Sequence, residues 1–555
     1  MTDTPSRPGA FLLTLNPDHI TPMGERPLDL STVARDLKGT AQRLSMMASG
    51  KVSSDFIKPL RIGTNEPHTL AVGLDDAALE DLRKRYGDAL IIEPDHDLDL
   101  FGGPAGMMPG GGASDLQSAG PRNFFTQGSS ALILEITVKG NDGKPVAFAE
   151  VTGRGSAPFS LDNAVTDAKG MAELSFFGDT PTTLRELRVN PSRDYWGRII
   201  TRPDLTGFPK LAGKLQVTLT LERLGAGEDE QDVWGYQAMA LPKADGFAAN
   251  TLAPVKIAII DSGIAAAHED LEPAGGRDFT DRGGDETLWR EDSIGHGTHV
   301  AGTCGAIFNG RGICGAAGPD AALYGLSVFP GGRTSSLIRA LDWCVENEID
   351  IANMSLGSAA GTAALQAAVI RATEAGVCLV AAAGNSGAGV MYPAAYAQVI
   401  AVAALGADAT FPPDSPHRDQ RGAHQAGRYF AAAFTCHGPQ IDMAAPGVAV
   451  ISCVPSEEGA AYAAWDGTSM AAPYVAGFAA RLLRLRTELR AQGGAARVAA
   501  LKAALLECCT DLGLPAELQG RGMPLWRMVP DAPAQTASVI ERLEKVSHEL
   551  SRELT

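Results

Sequence analysis

The sequence predicts an α/β protein: a mainly parallel β-sheet with helices on both faces, preceded by a small α/β domain and a β-sandwich-like module. Between residues 232 and 530, short apolar runs alternate with helical patterns, which is typical of a parallel sheet covered on both faces. Between residues 129 and 223, apolar and polar residues alternate with the period of two that half-buried strands show. The 555 residues also exceed what one hydrophobic core supports, so several folding units are expected.

The first predicted domain covers residues 1–101. Residues 77–86 (AALEDLRKRY) carry apolar side chains at helical spacing, and residues 89–92 (ALII) follow as a strand. The next segment is rich in glycine, proline and methionine, which predicts a linker over residues 102–128.

The second predicted domain, residues 129–223, consists of short strands joined by turns. Residues 132–138 (LILEITV) alternate in polarity, and residues 141–144 (NDGK) and 167–170 (DAKG) are turn sequences. The turn regions are similar to those of Ig-like or carboxypeptidase-regulatory-like modules. An acidic spacer, residues 224–231, leads to the largest domain, residues 232–530, whose functional loops are expected at the carboxyl ends of the parallel strands.

The C-terminal segment, residues 535–555, predicts an amphipathic helix that begins with a capping box formed by Ser538 and Glu541. Its apolar face either packs on the chain's own domain or binds a partner or a second copy. The β-sandwich-like module is the other candidate surface for such association.

Composition excludes several classes of function. A formal net charge of −18, without any lysine or arginine run, argues against a nucleic-acid partner. Residues 375–407 carry no charge, but Gly384, Gly387 and Pro393 break any membrane-spanning helix there. Because no secretory signal or membrane segment is seen, we expect a cytoplasmic protein. The eight cysteines, all at or beyond Cys304, are then expected to be free buried thiols rather than a disulfide framework.

Three segments of the largest domain carry residues suited to nucleophilic chemistry. Asp261 ends an apolar strand, where a lone aspartate is usually a turn former. His296 lies between two glycines in residues 295–302 (GHGTHVAG), at the predicted start of a helix. Ser469 lies in residues 467–473 (GTSMAAP), where a lone serine often caps a helix. A serine hydroxyl becomes nucleophilic when an imidazole, itself oriented by a carboxylate, takes its proton. The three residues together therefore indicate nucleophilic catalysis, which none of them indicates alone.

With residues 381–387 (AAAGNSG), these blocks make residues 232–530 resemble the subtilisin-like serine proteases (subtilases, peptidase family S8), whose triad has the same chain order. The resemblance implies a serine endopeptidase with Ser469 as nucleophile, His296 as general acid and base, and Asp261 as the group that orients the imidazole. It also implies that Asn385 donates to the oxyanion, a role for which the asparagine of subtilisin is the known example.

The same resemblance places the substrate. Five residues match two segments whose backbones pair with a substrate strand: Ser355, Leu356, Gly357, Gly331 and Gly332. Met391 stands where the family often has a glycine at the floor of the primary pocket, which favours an apolar residue on the acyl side of the scissile bond.

No cofactor is required for this chemistry, but a structural calcium ion is possible. A family-like site would use Asp270, Asn309 and Glu230 together with carbonyl oxygens of residues 307–313, because Ca²⁺ takes six or more oxygen ligands. Whether calcium is bound stays open at this point.

Protein or peptide substrates are expected, and two other functions compete with their hydrolysis. A transpeptidase would pass the acyl group to an amine, and the only sequence hint of it is an apparent insertion at residues 408–429. A non-catalytic adaptor would use the β-sandwich-like module and the C-terminal helix, but the intact triad residues argue against it.

Residues 92–101 (IEPDHDLDLF) resemble the end of subtilase propeptides, in which a strand leads into a tail that lies in the substrate cleft. Phe101 would fill the primary pocket and Leu98 the next apolar pocket, because alternation in an extended chain turns Asp97 and Asp99 away. We therefore expect a zymogen whose residues 1–101 assist folding, inhibit the enzyme and are released by self-cleavage before Gly102. The alternative is an N-terminal domain that is never removed.

Overall fold

The computed structural model describes residues 9–19, 28–47, 57–61, 67–104, 131–158, 160–226, 229–243, 253–280, 284–456 and 459–529. The predicted C-terminal helix and residues 105–128 of the predicted linker lie outside these ranges. Within them, no helix has both the length and the apolar character needed to cross a membrane.

The described part of the N-terminal domain contains a four-stranded sheet and two α-helices. Its elements are β1 (Gly9–Leu15), α1 (Leu30–Met47), β2 (Ile57–Leu60), β3 (Thr69–Leu74), α2 (Asp76–Tyr86) and β4 (Leu90–Pro94). The strand order is β2-β3-β1-β4, with antiparallel neighbours. The carboxylate of Asp75 caps α2 by accepting from the N–H of Ala78. The chain then forms β5 (Asp99–Leu100) and β6 (Gly103–Pro104), which pair with the largest domain instead of this sheet.

The second domain consists of two four-stranded sheets around one apolar core. Its strands are β7 (Ala131–Gly140), β8 (Glu150–Arg154), β9 (Leu161–Val165), β10 (Met171–Phe177), β11 (Glu186–Asn190), β12 (Arg198–Thr201), β13 (Lys210–Leu211) and β14 (Lys214–Leu221). The sheet orders are β10-β7-β14-β13 and β12-β11-β8-β9. Leu134, Ile136 and Val138 of β7 are buried while the residues between them are less so, which is the alternation of a strand with one face on a core.

The largest domain is built on a nine-stranded sheet with helices. Its helices are α3 (Trp234–Ala238), α4 (His296–Gly305), α5 (Thr334–Glu346), α6 (Ala363–Glu374), α7 (Thr468–Leu485), α8 (Thr487–Arg490), α9 (Gly494–Glu507) and α10 (Ala516–Gln519). Its strands are β15 (Val255–Asp261), β16 (Gly275–Asp278), β17 (Ala321–Ser327), β18 (Ile351–Met354), β19 (Leu356–Gly357), β20 (Cys378–Ala382), β21 (Ile400–Ala407), β22 (Arg421–Ala426), β23 (Tyr429–Ala432), β24 (Met443–Pro446), β25 (Val450–Val454), β26 (Ala461–Asp466), β27 (Cys509–Thr510) and β28 (Met523–Pro524).

The main sheet is parallel along β16-β17-β15-β18-β20-β21, and β24 also runs parallel to β21. The apparent insertion at residues 408–429 supplies β22, and with β23 it extends the sheet in the antiparallel sense. The strands β18, β20 and β21 are buried along their whole length because helices cover both faces. The parallel strands end at one edge of the sheet, where Asp261 is the last residue of β15.

The predicted acidic spacer and the cysteines both lie in or against the largest domain. Leu224 and Ala226 of the predicted spacer are buried in the core of the largest domain, and the N–H of Gln231 donates to the carbonyl of Gly312, so the spacer packs on that domain. All eight cysteines are free thiols, seven of them buried and Cys509 half-buried.

Candidate active site

The end of β15 and the start of α4 bring a carboxylate and an imidazole together. Nδ1 of His296 donates to Oδ1 of Asp261 at 2.7 Å, and both side chains are buried. Gly295 begins the helix with a φ of 84°, in the left-handed region that favours glycine, and this turn directs His296 toward the strand end. An imidazole held through Nδ1 presents Nε2 as a proton acceptor.

The neighbours of Asp261 keep it in place as an acceptor. The N–H of Ser262 donates to Asp261 Oδ1 at 2.8 Å, and the hydroxyl of Ser262 accepts from the N–H of Gly297 at 2.8 Å. Burial raises the pKa of the Asp261 carboxyl, while attraction to His296 and the hydrogen bonds from His296 and the Ser262 N–H oppose the rise. A buried carboxylate in this position stabilises the imidazolium that forms when His296 takes a proton.

Ser469 is the second residue of α7, and its side chain is fully buried in the structure as it stands. Its hydroxyl donates to the backbone carbonyl oxygen of Ser355 at 2.9 Å. Within the described part of the chain, Nε2 of His296 has no hydrogen-bond partner. Attack therefore requires rotation of the Ser469 hydroxyl from Ser355 toward His296, a step in keeping with catalytic hydrogen bonds that form only in the reacting complex.

Asn385 follows β20 and lies against the start of α7. Its side-chain oxygen accepts from the N–H of Thr468 at 3.0 Å and from the hydroxyl of Thr468 at 2.8 Å, which fixes the orientation of the amide. The N–H of Ser469 donates to the carbonyl oxygen of Phe101 at 3.0 Å. A backbone N–H beside an oriented asparagine amide is the arrangement that stabilises an oxyanion.

The chain's own residues 97–101 lie between the two segments expected to bind substrate. On one side, β5 pairs antiparallel with β19, so that Leu100 is opposite Leu356 and Asp99 is opposite Gly357. The N–H of Phe101 also donates to the carbonyl of Ser355, at 3.4 Å.

On the other side of the cleft, the N–H of Leu98 donates to the carbonyl of Gly332 at 2.9 Å, and Asp97 forms a bridge with Arg333. Gly331 precedes this contact with a φ of 77°. The tail is therefore the middle strand of a three-stranded arrangement.

Side-chain burial along this tail is uneven, and the two buried residues are three positions apart. Leu98 and Phe101 are buried, at 6% and 3% exposure, whereas Asp97 and Asp99 are exposed. A Cβ added to Gly357 would lie 2.8 Å from Cε2 of Phe101, so the ring of Phe101 packs directly on that glycine.

Met391 lies on the neighbouring segment, close to Asn385. A Cβ on Gly384 would lie 2.7 Å from Sδ of Met391, so the thioether packs against the backbone next to Asn385. The N–H of Met391 donates to the carbonyl of Ala383 at 2.9 Å, which holds this contact in place.

His299 lies one turn from His296 but takes part in different contacts. Its Nε2 faces the carbonyl oxygens of Val450 and Ala463 at 3.1 and 3.2 Å, and its ring stacks on Trp465 at 4.7 Å. Burial lowers the pKa of His299 to about 3, so the ring is neutral near pH 7. It joins α4 to the β25–β26 hairpin, and its ring hydrogen bonds among the described residues go to backbone carbonyls rather than to Asp261, His296 or Ser469.

The three residues proposed for calcium lie near one another, but their oxygens already accept hydrogen bonds. Asp270 accepts from the amide of Asn309 at 3.0 Å, from the N–H of Ile313 at 2.9 Å and from the hydroxyl of Tyr462 at 2.8 Å. Glu230 accepts from the N–H of Gly310 at 3.2 Å. In this conformation the three do not form the oxygen cage that Ca²⁺ requires. Within the described ranges, no group of three or more His, Cys, Asp or Glu side chains is placed to hold a metal ion.

Sequence reasoning missed Asp292, and it predicted Ser355 only as a substrate-binding residue and not as a support for the triad. Asp292 accepts from the N–H of Gly295 at 2.8 Å and from the N–H and hydroxyl of Thr298 at 2.8 and 2.7 Å, and so fixes the first turn of α4. The hydroxyl of Ser355 accepts from Asn353 and donates to the carbonyl of Ser469, both at 2.9 Å. The signal for Asp292 was available, because an acidic residue shortly before a helix start is typical of a cap.

Comparison with known proteins places this site in a family. Residues 253–523 match the model of the subtilase family, peptidase S8. The chain is 40% identical over 237 residues to subtilisin from Bacillus pumilus, which covers 41% of this chain and 76% of that protein. It is also 40% identical over 237 residues to subtilisin E from Bacillus subtilis (strain 168), and this match covers 41% of the present chain and 55% of subtilisin E. It is 42% identical over 253 residues to alkaline elastase YaB from Bacillus sp. (strain YaB), and this match covers 44% of the present chain and 58% of that protein. The chain thus spans about half the length of some curated relatives and three quarters of others.

The chain belongs to the subtilase family. Its largest domain is accordingly that of a serine endopeptidase, a hydrolase.

Proposed function

We propose that the chain is a serine endopeptidase in which Asp261, His296 and Ser469 form the catalytic triad and Asn385 completes the oxyanion hole. The observation that carries this proposal is the hydrogen bond from the N–H of Ser469 to the carbonyl oxygen of Phe101, at 3.0 Å, because it holds a peptide carbonyl where an acyl transfer would begin. Protein or peptide substrates follow from the backbone pairing on both sides of the cleft.

The reaction begins when the Ser469 hydroxyl turns toward His296. Its oxygen attacks the carbonyl carbon, its proton passes to Nε2 of His296, and the negative charge on the carbonyl oxygen is stabilised by Ser469 N–H and the Asn385 amide. The C–N bond then breaks as His296 gives the proton to the leaving nitrogen. Water attacks the resulting acyl-enzyme with His296 as base, which releases the carboxylate product and restores Ser469.

We further propose that the chain is made as a self-inhibited precursor cut between Phe101 and Gly102. Both sides of this bond are supported in the cleft, by β5 on β19 and by β6 on β26. A Cβ on Gly467 would overlap the carbonyl oxygen of Phe101, so glycine at this position permits the close approach of the tail.

Two carboxylates fasten the N-terminal domain to the enzyme. Asp95 accepts from the N–H and the hydroxyl of Ser335 at 2.9 and 2.7 Å, at the start of α5. Glu93 accepts from the N–H groups of Ala363 and Ala364 at 2.8 and 3.2 Å, at the start of α6. Carboxylates at helix N-termini stabilise such contacts, which supports an inhibitory domain bound before cleavage.

The primary pocket is proposed to prefer apolar residues, since the buried ring of Phe101 rests on Gly357. The resemblance of Met391 to the position of a pocket-floor glycine in the family supports the same preference. A cytoplasmic location is proposed from the eight free thiols, which suit a reducing compartment. A structural calcium ion near Asp270, Asn309 and Glu230 is also proposed, and its binding would require these side chains to exchange their present hydrogen bonds for contacts with the ion.

A fluorophosphonate probe and a model peptide test the proposed activity. Ser469→Ala is expected to remove probe labelling and to lower peptide turnover by several orders of magnitude while the protein stays folded. The matched control is Ser386→Ala, an exposed serine next to Asn385, which should keep both signals. Labelling or turnover of wild-type size in Ser469→Ala would show that another residue is the nucleophile.

A further inference from the structure

The chain beyond the scissile bond shows where the leaving-group side of a substrate lies. In β6, Gly103 is opposite Asp466 and Pro104 is opposite Trp465, in antiparallel register with β26. A substrate bound in the same way would place its second and third residues after the scissile bond along β26.

The β-sandwich-like module, residues 131–221, is docked at this end of the cleft. The N–H of Asp194 donates to the carbonyl of Tyr462 in β26 at 2.6 Å, and the N–H of Tyr462 donates back to the carboxylate of Asp194 at 3.1 Å. The module therefore binds directly to β26, the strand with which the leaving-group side of the substrate would pair.

The apparent insertion at residues 408–429 provides a second support for the module. The N–H of Ile199 donates to the carbonyl of Asp414 at 2.6 Å, and Arg198 contacts the carboxylate of Asp414 at 2.9 Å. The buried His417, paired with Asp466 at 2.7 Å, packs edge-on against Trp196 with ring centres 5.7 Å apart. These contacts connect the module, through His417, to Asp466, which lies three positions before Ser469.

A small cavity of about 20 Å³ lies where the three parts meet. Its lining includes Pro104 of the tail, Asn190, Arg193 and Tyr195 of the module, and Pro416 of the insertion. The side-chain oxygen of Asn190 is buried and has no hydrogen-bond partner within the described residues. A buried acceptor without a donor is costly, and the cavity has room for one water molecule or a hydroxyl group.

We propose that this cavity is a substrate subsite, formed with the module, that selects the third residue after the scissile bond. It would take a small side chain with a hydroxyl, serine or threonine, because the hydroxyl can donate to Asn190 and a bulky side chain exceeds the space. The inference rests on the proposed function and gives the module and the insertion a role in specificity.

The full chain is first allowed to process itself, and the resulting enzyme is then assayed with a set of quenched fluorescent peptides. All carry Asp-Leu-Asp-Leu-Phe before the scissile bond and Gly-Gly after it, followed by serine, alanine or tryptophan. A p-nitroanilide with the same acyl part has no residues on the leaving-group side. The wild type should prefer serine over alanine about 5-fold in kcat/KM, the size of one hydrogen bond. Tryptophan should be poorer than alanine by about 10-fold or more.

Variants of Asn190 separate polarity from shape. Asn190→Leu should reduce the serine-to-alanine ratio to about 1, Asn190→Asp should keep it because it keeps an acceptor, and the anilide rate should not change. The matched control is Asn163→Leu on β9, an exposed asparagine of the same module. An unchanged ratio in Asn190→Leu, or a wild type that accepts tryptophan as well as serine, would overturn the subsite while the anilide still reports the proposed activity. Anilide hydrolysis absent from the wild type would instead refute the proposed function.

Discussion

Phe101→Ala should slow self-cleavage of the precursor while leaving the N-terminal domain folded. Phe101 is only 3% exposed, its ring rests on Gly357, and no part of it belongs to the core of the N-terminal sheet. Burying a phenylalanine side chain is worth about 1.5 to 3 kcal/mol. If the transition state for cleavage keeps this contact, its loss slows the step about 10- to 150-fold, since about 1.4 kcal/mol corresponds to a factor of ten.

Refolding from denaturant provides a single-turnover assay in which the shortened chain is followed by gel and intact mass. The control is Asp99→Ala, a change at an exposed residue two positions earlier in the tail, which should be processed within about twofold of the wild-type rate. Processing of Phe101→Ala at the wild-type rate, at the same bond, would refute the view that Phe101 fills a pocket that contributes to catalysis.

Three further predictions concern stability and accessibility. If calcium is bound near Asp270, Asn309 and Glu230, a chelator should lower the melting temperature by several degrees, because a ligand bound only to the native state stabilises it, and an unchanged melting curve would refute the calcium proposal. Asp179→Asn should destabilise the β-sandwich-like module by about 2 kcal/mol near pH 7. Burial raises the pKa of the Asp179 carboxyl, but hydrogen bonds from Ser160, Thr183 and Ser156 outweigh burial and hold this pKa well below its ordinary value. The difference in melting temperature between wild type and variant should therefore be full above about pH 4 and shrink as the pH falls further. The native protein should react with a thiol reagent at one cysteine at most near pH 8, whereas all eight cysteines should react in denaturant. The reason is burial, which raises the pKa of Cys304 and of Cys378 to about 12. Rapid labelling of several thiols in the native protein would contradict this burial.

The sequence allowed the fold class and the family to be predicted because the informative residues are local. Asp261, His296 and Ser469 each lie at the end of a strand or the start of a helix, inside a short block with its own glycines. The burial of both Leu98 and Phe101, by contrast, does not follow from strand alternation, because residues three positions apart point to opposite faces of a strand; it depends on the distant segments that contact the tail.

Other features depend on contacts between distant parts of the chain. The pairing of Glu93 and Asp95 with the starts of α6 and α5 joins two domains, and nothing in the local sequence of either carboxylate indicates its partner. The contact of the insertion at residues 408–429 with the module is of the same kind, because Asp414 and Arg198 are 216 positions apart in the chain. Hydrogen bonds to Asp270 and the direction of the Ser469 hydroxyl depend on side-chain torsions that residue types alone do not fix.

The most direct test of the account is the N-terminal sequence and intact mass of the full chain purified as wild type and as Ser469→Ala. We expect a new terminus at Gly102 in the wild type, and an intact chain beginning at Met1 or Thr2 in Ser469→Ala, because the hydroxyl of Ser469 is the nucleophile that opens the Phe101-Gly102 bond. An active wild-type enzyme that keeps the Met1 or Thr2 terminus, or a Gly102 terminus in both proteins, would contradict self-cleavage by Ser469.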